Sequence, residues 1–255
     1  VVLPLPAAAD PDGTVLITGG TGVLGRLVAR HLVTARGARR LVLASRSGPE
    51  AEGATAFAEE LRALGADVTL EACDTSVREE LARLLARIPA AHPLTAVHHA
   101  AGVLDDATVT GLTPGHLDRV LRAKADSALH LHELTARHHP DLAEFVLFSA
   151  AGATLGSAGQ GNYAAANTFL DALARHRRAR GLAGQSLAWG LWSEATGLTG
   201  HLADADLNRL GRGGVLGLTT RQALDLLDLS ARLGEAHLVP VRLDLTALRG
   251  ATTTP

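Results

Sequence analysis

An α/β fold is predicted, built on a doubly wound parallel sheet of about seven strands with helices on both faces and a lid insert before the last strand. Three observations carry it. From Gly13 onward, short apolar or β-branched runs alternate with longer segments at helical spacing, and that alternation implies parallel strands joined by helical crossovers. The first apolar run passes straight into Thr18-Gly19-Gly20-Thr21-Gly22-Val23-Leu24-Gly25 and then into a helical pattern. Hydrophobic residues make up 47% of 255 positions, enough for one substantial core.

In chain order, strands are expected at Thr14 to Thr18, Arg40 to Ala44, Asp67 to Ala72, Leu94 to His98, Glu144 to Ser149, Gln185 to Trp189 and His237 to Arg242. Seven such strands with helical crossovers make a Rossmann-like sheet. Ser76 is placed to cap a helix running through Arg87. Thr113-Pro114 starts another, and Gln160 to Arg180 forms a long helix closed by Gly181. Residues 193–219 break the alternation with several glycines and a short amphipathic piece around Leu202 to Leu210. An insert of this kind beside a strand end is a candidate lid. The expected organisation is a linker over 1–12, one folded domain over 13–250 and a tail over 251–255. With no methionine, the chain reads as a piece of a longer polypeptide.

Formal net charge is −2, from 24 basic and 26 acidic residues without a basic block, which argues against nucleic acid as a partner. No apolar run reaches the roughly 18 residues of a membrane span, and no signal segment opens the chain; a cytoplasmic protein without a membrane partner is expected. Cys73 is the only cysteine, so no intrachain disulfide forms, and its plain reading is a small residue at the end of a buried strand. Adjacent His98 and His99 on a strand point to opposite faces, so they do not share a metal. No metal site is assigned.

The glycine string satisfies both TGxxGxxG and GxGxxG in the strand-to-helix context those patterns require. Its glycines, Gly19, Gly22 and Gly25, let the backbone turn and approach a pyrophosphate, with Thr21 and Leu24 beside them and the amides of a helix N-terminus meeting its charge. An NAD site would end the second strand in an acid that binds the ribose 2′-hydroxyl. Here that end reads Ser45-Arg46-Ser47, and an arginine fork with flanking hydroxyls suits a 2′-phosphate. NADPH is therefore preferred, a plain solvated arginine being the alternative. After the third strand, Asp74 either accepts from the adenine amino group or caps a helix. The fourth strand leads into Ala101 and Gly102, small residues where the cofactor ribose would lie.

Tyr163 is the only tyrosine and Lys124 the only lysine. A bias toward alanine, leucine, glycine and arginine points to a GC-rich coding sequence, which partly explains both rarities. Ser149 ends the fifth strand, and Tyr163 follows 14 residues later with Asn167 at i+4, on the same helix face. A hydride reaching a ketone carbon builds charge on oxygen, which needs a proton donor and a second donor to polarise the carbonyl. Tyr163 would be the acid and Ser149 the polariser, with Lys124 lowering the phenol's pKa from its ordinary value near 10. Taken singly, the tyrosine reads as a core aromatic and the lysine as a solvated helix residue.

These residues resemble the catalytic subdomain of ketoreductase domains from modular type I polyketide synthases, within the short-chain dehydrogenase/reductase superfamily. The resemblance covers nearly everything from Gly13 to about Arg249. Ordinary superfamily members carry lysine four residues after the tyrosine. Asn167 stands there instead, and Lys124 lies on the preceding helix, an exchange characteristic of these ketoreductases. The resemblance implies that Lys124, Ser149, Tyr163 and Asn167 form the catalytic set, with Lys124 and Tyr163 also on the cofactor. It implies NADPH as cofactor and, as partner, an acyl carrier protein whose phosphopantetheine arm holds a 3-ketoacyl chain.

Trp189-Gly190-Leu191-Trp192 resembles the family segment bordering nicotinamide and substrate, although two tryptophans near a strand end equally suit a core. Leu104-Asp105-Asp106 matches the LDD motif of B-type ketoreductases, and Leu155 stands where A-type domains carry tryptophan. Gln160 lies among the same stereocontrol positions. Ala165 is not the proline associated with epimerising B-type domains. A non-epimerising reductase giving a D-configured, usually 3R, alcohol is implied; without the family, Leu104 to Asp106 reads equally as a turn. Family members carry a structural subdomain immediately upstream, which this chain begins too late to contain; that subdomain and the other domains of the parent synthase are implied partners. Two other functions remain in view: an epimerase or dehydratase of the extended superfamily acting on nucleotide sugars, which Asn167 argues against, and a reduction-incompetent scaffold, which the intact site residues argue against.

Overall fold

The computed structural model describes residues 10–193, 214–246 and 249. Along β1, Thr14–Thr18, successive side chains alternate faces, sending Val15 and Ile17 into one core and Leu16 into the other. All five β1 residues are buried, as expected of a central strand covered on both faces. The next strands are β2 (Arg40–Ser45), β3 (Asp67–Ala72), β4 (Leu94–His99), β5 (Glu144–Ala150) and β6 (Gln185–Trp189), each within a residue of its expected end. They pair in parallel in the order β3-β2-β1-β4-β5-β6.

Helices α1 (Val23–Thr34) and α2 (Ala54–Ala63) supply Val28, Leu32, Phe57 and Leu61 to the core containing Val15 and Ile17. On the opposite face, α3 (Arg78–Ala86) contributes Leu81 and Leu84 around Leu16. Helix α4 (Pro114–Leu121) continues through a π-turn, Arg122–Asp126, into α5 (Ser127–His138). A short α6 (Gly152–Leu155) precedes α7 (Gly161–Ala179), whose Leu170, Leu173 and Ala174 join the Leu16 core. Truncating one of these buried leucines to alanine would cost about 2–5 kcal/mol.

The expected seventh strand is corrected. After β7 (Val215–Leu216) and α8 (Thr220–Leu233), only β8, His237–Leu238, pairs with β6, completing a seven-stranded parallel sheet. Pro240 has no N–H to continue a ladder, and the chain turns into β9, Arg242–Leu243, antiparallel to β7 in a separate ribbon. The expected helix start at Ser76 also shifts: α3 begins at Arg78 with Val77 at its cap. Most of the expected lid, and all of Leu202 to Leu210, lies outside the described residues, as do residues 1–9 of the linker and the tail. Strand order reverses between β1 and β4, and the loops leaving these neighbours diverge to open a crevice at the carboxyl edge.

Candidate active site

That crevice is a cleft of about 1140 Å³. It gathers Gly19, Thr21, Gly22, Leu24 and Gly25 from the loop after β1, Ser45 and Arg46 from the end of β2, Asp74 from beyond β3, and Ala101 and Gly102 from beyond β4. Glycine is needed at two of these positions: a Cβ on Gly25 would fall 2.2 Å from the Gly19 carbonyl oxygen, and one on Gly19, at φ +70°, 2.7 Å from Ala101 N. Helix α1 starts at Gly22 with no side-chain cap and no acid in its first turn, and its leading residues line the cleft. Uncapped amides at a helix N-terminus favour a pyrophosphate.

Arg46 is exposed on the cleft wall. Behind it, Ser45 Oγ accepts from Gly48 N at 3.0 Å and shapes the turn. Asp74 Oδ1 accepts from Ser76 N at 3.0 Å and Ser76 Oγ at 2.7 Å, so Ser76 is held in an Asx turn instead of capping α3. Asp74 itself lines the cleft, and a carboxylate has acceptor capacity beyond these two bonds. An extended dinucleotide with a phosphate-bearing ribose fits this set: close-approach glycines, uncapped amides and an exposed guanidinium follow one another along one wall.

The four expected catalytic residues converge where β5, the π-turn and α7 meet. Helix α4 is started by a capping box between Thr113 and His116 and delivers Lys124 inward, only 3% exposed. Lys124 Nζ donates to the Phe148 carbonyl at 2.7 Å and stands 5.3 Å from the centre of the Tyr163 ring. Gly102 leaves room for it: a Cβ there would sit 3.0 Å from Lys124 Cε. Burial pushes the Lys124 pKa down to about 7, the charge of Asp171 acting the other way. On α7, Asn167 Nδ2 donates to the Tyr163 carbonyl at 2.8 Å, while the buried Asn167 Oδ1 has no hydrogen-bond partner among the described residues. Ser149 Oγ donates to the Asn167 carbonyl at 3.3 Å.

The phenol's acidity differs from expectation. Burial raises the Tyr163 pKa, with the Asn167 side chain opposing and Asp106 reinforcing. Lys124 lies over the ring face and is committed to a carbonyl, so it does not offset the desolvation of a phenolate.

The loop through Leu104, Asp105 and Asp106 is stitched to the start of α7. Arg119 Nε donates to Asp105 Oδ2 at 2.7 Å, and Asn162 Nδ2 to the Asp105 carbonyl at 2.8 Å. Gln160 Nε2 donates to Asp106 Oδ2 at 2.8 Å, and Gln160 Oε1 accepts from Ser157 Oγ at 2.7 Å. Leu104 lines the cleft. Leu155 ends α6 and is 54% exposed. Trp192 is buried in the core, edge-on to Trp189 with ring centroids 5.2 Å apart, and bridged to Leu218. Apolar area on so large a ring favours the core. Sequence reasoning passed over Asn162, fully buried, whose Oδ1 accepts from Tyr163 N at 2.9 Å; a polar residue directly before the lone tyrosine was the available signal.

A family model described as KR domain matches residues 13–194. Polyketide synthase GfsB of Streptomyces halstedii is 60% identical over 248 residues, 97% of this chain and 4% of that protein. Mycoketide-CoA synthase of Mycobacterium tuberculosis is 56% identical over 237 residues, 93% of this chain and 6% of that protein. The chain thus spans a small fraction of these relatives. Among solved structures, an A-type ketoreductase from a modular polyketide synthase superposes with a TM-score of 0.89 at 47% identity, over 98% of this chain and 52% of that one. A C2-type ketoreductase gives 0.86 at 35% identity, over 100% and 54%.

Proposed function

Because the chain belongs to the KR-domain family of modular polyketide synthases, we propose that it reduces a 3-ketoacyl thioester on acyl carrier protein to a D-configured, usually 3R, 3-hydroxyacyl thioester, using NADPH and without epimerising the α-carbon. The observation that carries this reading is the convergence of Tyr163, Ser149, Lys124 and Asn167 beside a cleft suited to a dinucleotide. When bound, NADPH supplies the hydride. Tyr163 is the proton donor to the carbonyl oxygen, and a raised phenol pKa keeps it in the donating form. Ser149 polarises the same oxygen by turning its hydroxyl away from the Asn167 carbonyl. Lys124 holds the nicotinamide ribose, and the Arg46 fork takes the 2′-phosphate.

Leu104 to Asp106 support the B-type assignment, with Leu155 in place of an A-type tryptophan and Gln160 bracing the loop. The upstream structural subdomain and the other domains of a parent synthase are the proposed partners, and the cytoplasm the proposed compartment. The test incubates the chain with NADPH, or NADH, and a racemic 2-methyl-3-ketoacyl thioester, followed by chiral analysis. A 3R alcohol formed with NADPH is expected. A 3S product overturns the B-type assignment, equal use of NADH overturns the role of Arg46, and no consumption of either cofactor overturns reduction itself.

A further inference from the structure

Strand β4 ends in two histidines that alternation sends to opposite faces. His98 turns toward Glu144, with Nε2 3.3 Å from Oε2. His99 has no exposed surface and lies between β1 and the π-turn. Its Nδ1 is 2.6 Å from Oγ1 of Thr18, its partner residue across the strand pair, and its Nε2 is 3.2 Å from the Lys124 carbonyl oxygen. A carbonyl only accepts, so Nε2 carries the proton. Burial and the nearby Lys124 charge push the ring's pKa down to about 3, so the imidazole is neutral, Nδ1 offers a lone pair and the Thr18 hydroxyl donates to it. Donors therefore run in one direction, from Thr18 to His99 to the backbone of Lys124.

That backbone is unusual. Over Arg122–Asp126 the ladder loosens to hydrogen bonds five residues apart, as from Ser127 N to Arg122 O. Arg122-Ala123-Lys124-Ala125-Asp126 contains neither proline nor glycine, so nothing local breaks the α-helix. Two side chains reach the carbonyls of this π-turn: His99 on Lys124 O from across the fold, and Ser127 Oγ on Arg122 O at 3.2 Å from within the helix. Such turns recur at functional sites. Collapse to a regular α-helix would rotate one flank by about 100°, the angle of one residue, and swing Lys124 away from Phe148 and Tyr163.

We propose that His99 is a positioning residue: its Nε2–H bond to the Lys124 carbonyl holds the π-turn that aims Lys124 into the site, and Thr18 sets the tautomer this requires. Its kinetic consequence rests on the reductase reading above; its structural consequence does not.

Because Lys124 is the only lysine, the full chain labelled with 13Cε-lysine gives one resonance whose titration reports that ammonium alone. In the native chain the midpoint is expected at about 7. In His99→Phe it should rise toward the ordinary lysine value of about 10.4, and in His99→Gln, which restores a donor near the Nε2 position, fall most of the way back. An unmoved midpoint in His99→Phe overturns the proposal. Should that variant fail to fold, Thr18→Val keeps the ring but frees its tautomer; a partial upward shift is expected, and none overturns the proposal.

With NADPH and a 3-ketoacyl thioester, His99→Phe should lose roughly 10²-fold in kcat but nothing further when added to Lys124→Ala. Losses that multiply show a role independent of Lys124 and overturn it. A native chain that oxidises no NADPH overturns the reductase reading alone, since the lysine titration still decides the positioning role.

Discussion

The two ends of the parallel sheet treat buried charge in opposite ways. At the amino end, the nearly buried Arg36 guanidinium meets both oxygens of Glu144, with His98 alongside. Burial would raise the Glu144 pKa, yet bonds from His98 and Arg36 prevail and hold it down to about 2. At the carboxyl end, Lys124 is buried as deeply but meets a carbonyl instead of a carboxylate, and its pKa falls to about 7. Among the described residues, Asn167 Oδ1, beside it on α7, has no hydrogen-bond partner. Charges that satisfy one another hold the sheet together. Charges left half-satisfied are costly to the fold and available to a ligand.

The largest expected effect that would break this comparison is at Tyr163. Tyr163→Phe should lower kcat by about 10²–10⁴-fold with no change in thermal midpoint, measured by NADPH consumption and calorimetry. A fall in stability of similar size would mean that the carboxyl end also supports the fold. Glu144→Gln should do the reverse, losing about 3 kcal/mol of stability at pH 7 while kcat is kept. Because the folded pKa of about 2 lies below the ordinary 4.5, the carboxylate's contribution is complete above about 4.5 and lost as pH falls toward 2. Urea titrations at pH 7 and pH 3 should show the variant's deficit shrinking at the lower pH.

Lys124 carries the opposite sign. Its folded pKa of about 7 lies below the ordinary 10.5, so the burial cost is complete below about 7 and fades as pH rises through 10.5. Native stability should therefore rise with pH across that window. Lys124→Met should be more stable than the native chain by about 2 kcal/mol at pH 6, less so at pH 9, and inactive; a destabilised Met variant at pH 6 would refute the contrast between the two ends. The smallest effect sharpens it: Thr113→Ala removes the cap of α4 and should cost about 1 kcal/mol without moving the Lys124 titration, separating helix stability from lysine placement.

The wall of the cleft was legible because it is local. Gly19 to Gly25 encode a turn, a close approach and a helix start within seven residues, and strand ends bring Ser45, Arg46, Asp74, Ala101 and Gly102 to the same edge by parallel registry alone. Six strands were equally legible from buried apolar runs. The seventh was not, since Leu238 and Leu243 both suit a strand and only the missing Pro240 N–H separates them into different sheets. Helix α8 was announced by the Thr219–Gln222 capping box, which the alternation argument did not use. Trp192 was open to two readings because a large aromatic beside a strand end reads alike at a rim and in a core, and only the fold shows its packing against Trp189.

The amino-acid sequence by itself determined the alternation of elements, the glycine loop and the spacing that puts Tyr163 and Asn167 on one helix face, because each depends on a few neighbouring residues and a fixed backbone period. Tertiary structure alone decided which way Lys124 points, what its nitrogen bonds and how acidic Tyr163 is. Those follow from a π-turn held by a histidine 25 residues away and from burial on three elements at once. Desolvation and long-range hydrogen bonding depend on where the chain returns to itself, which no local pattern contains.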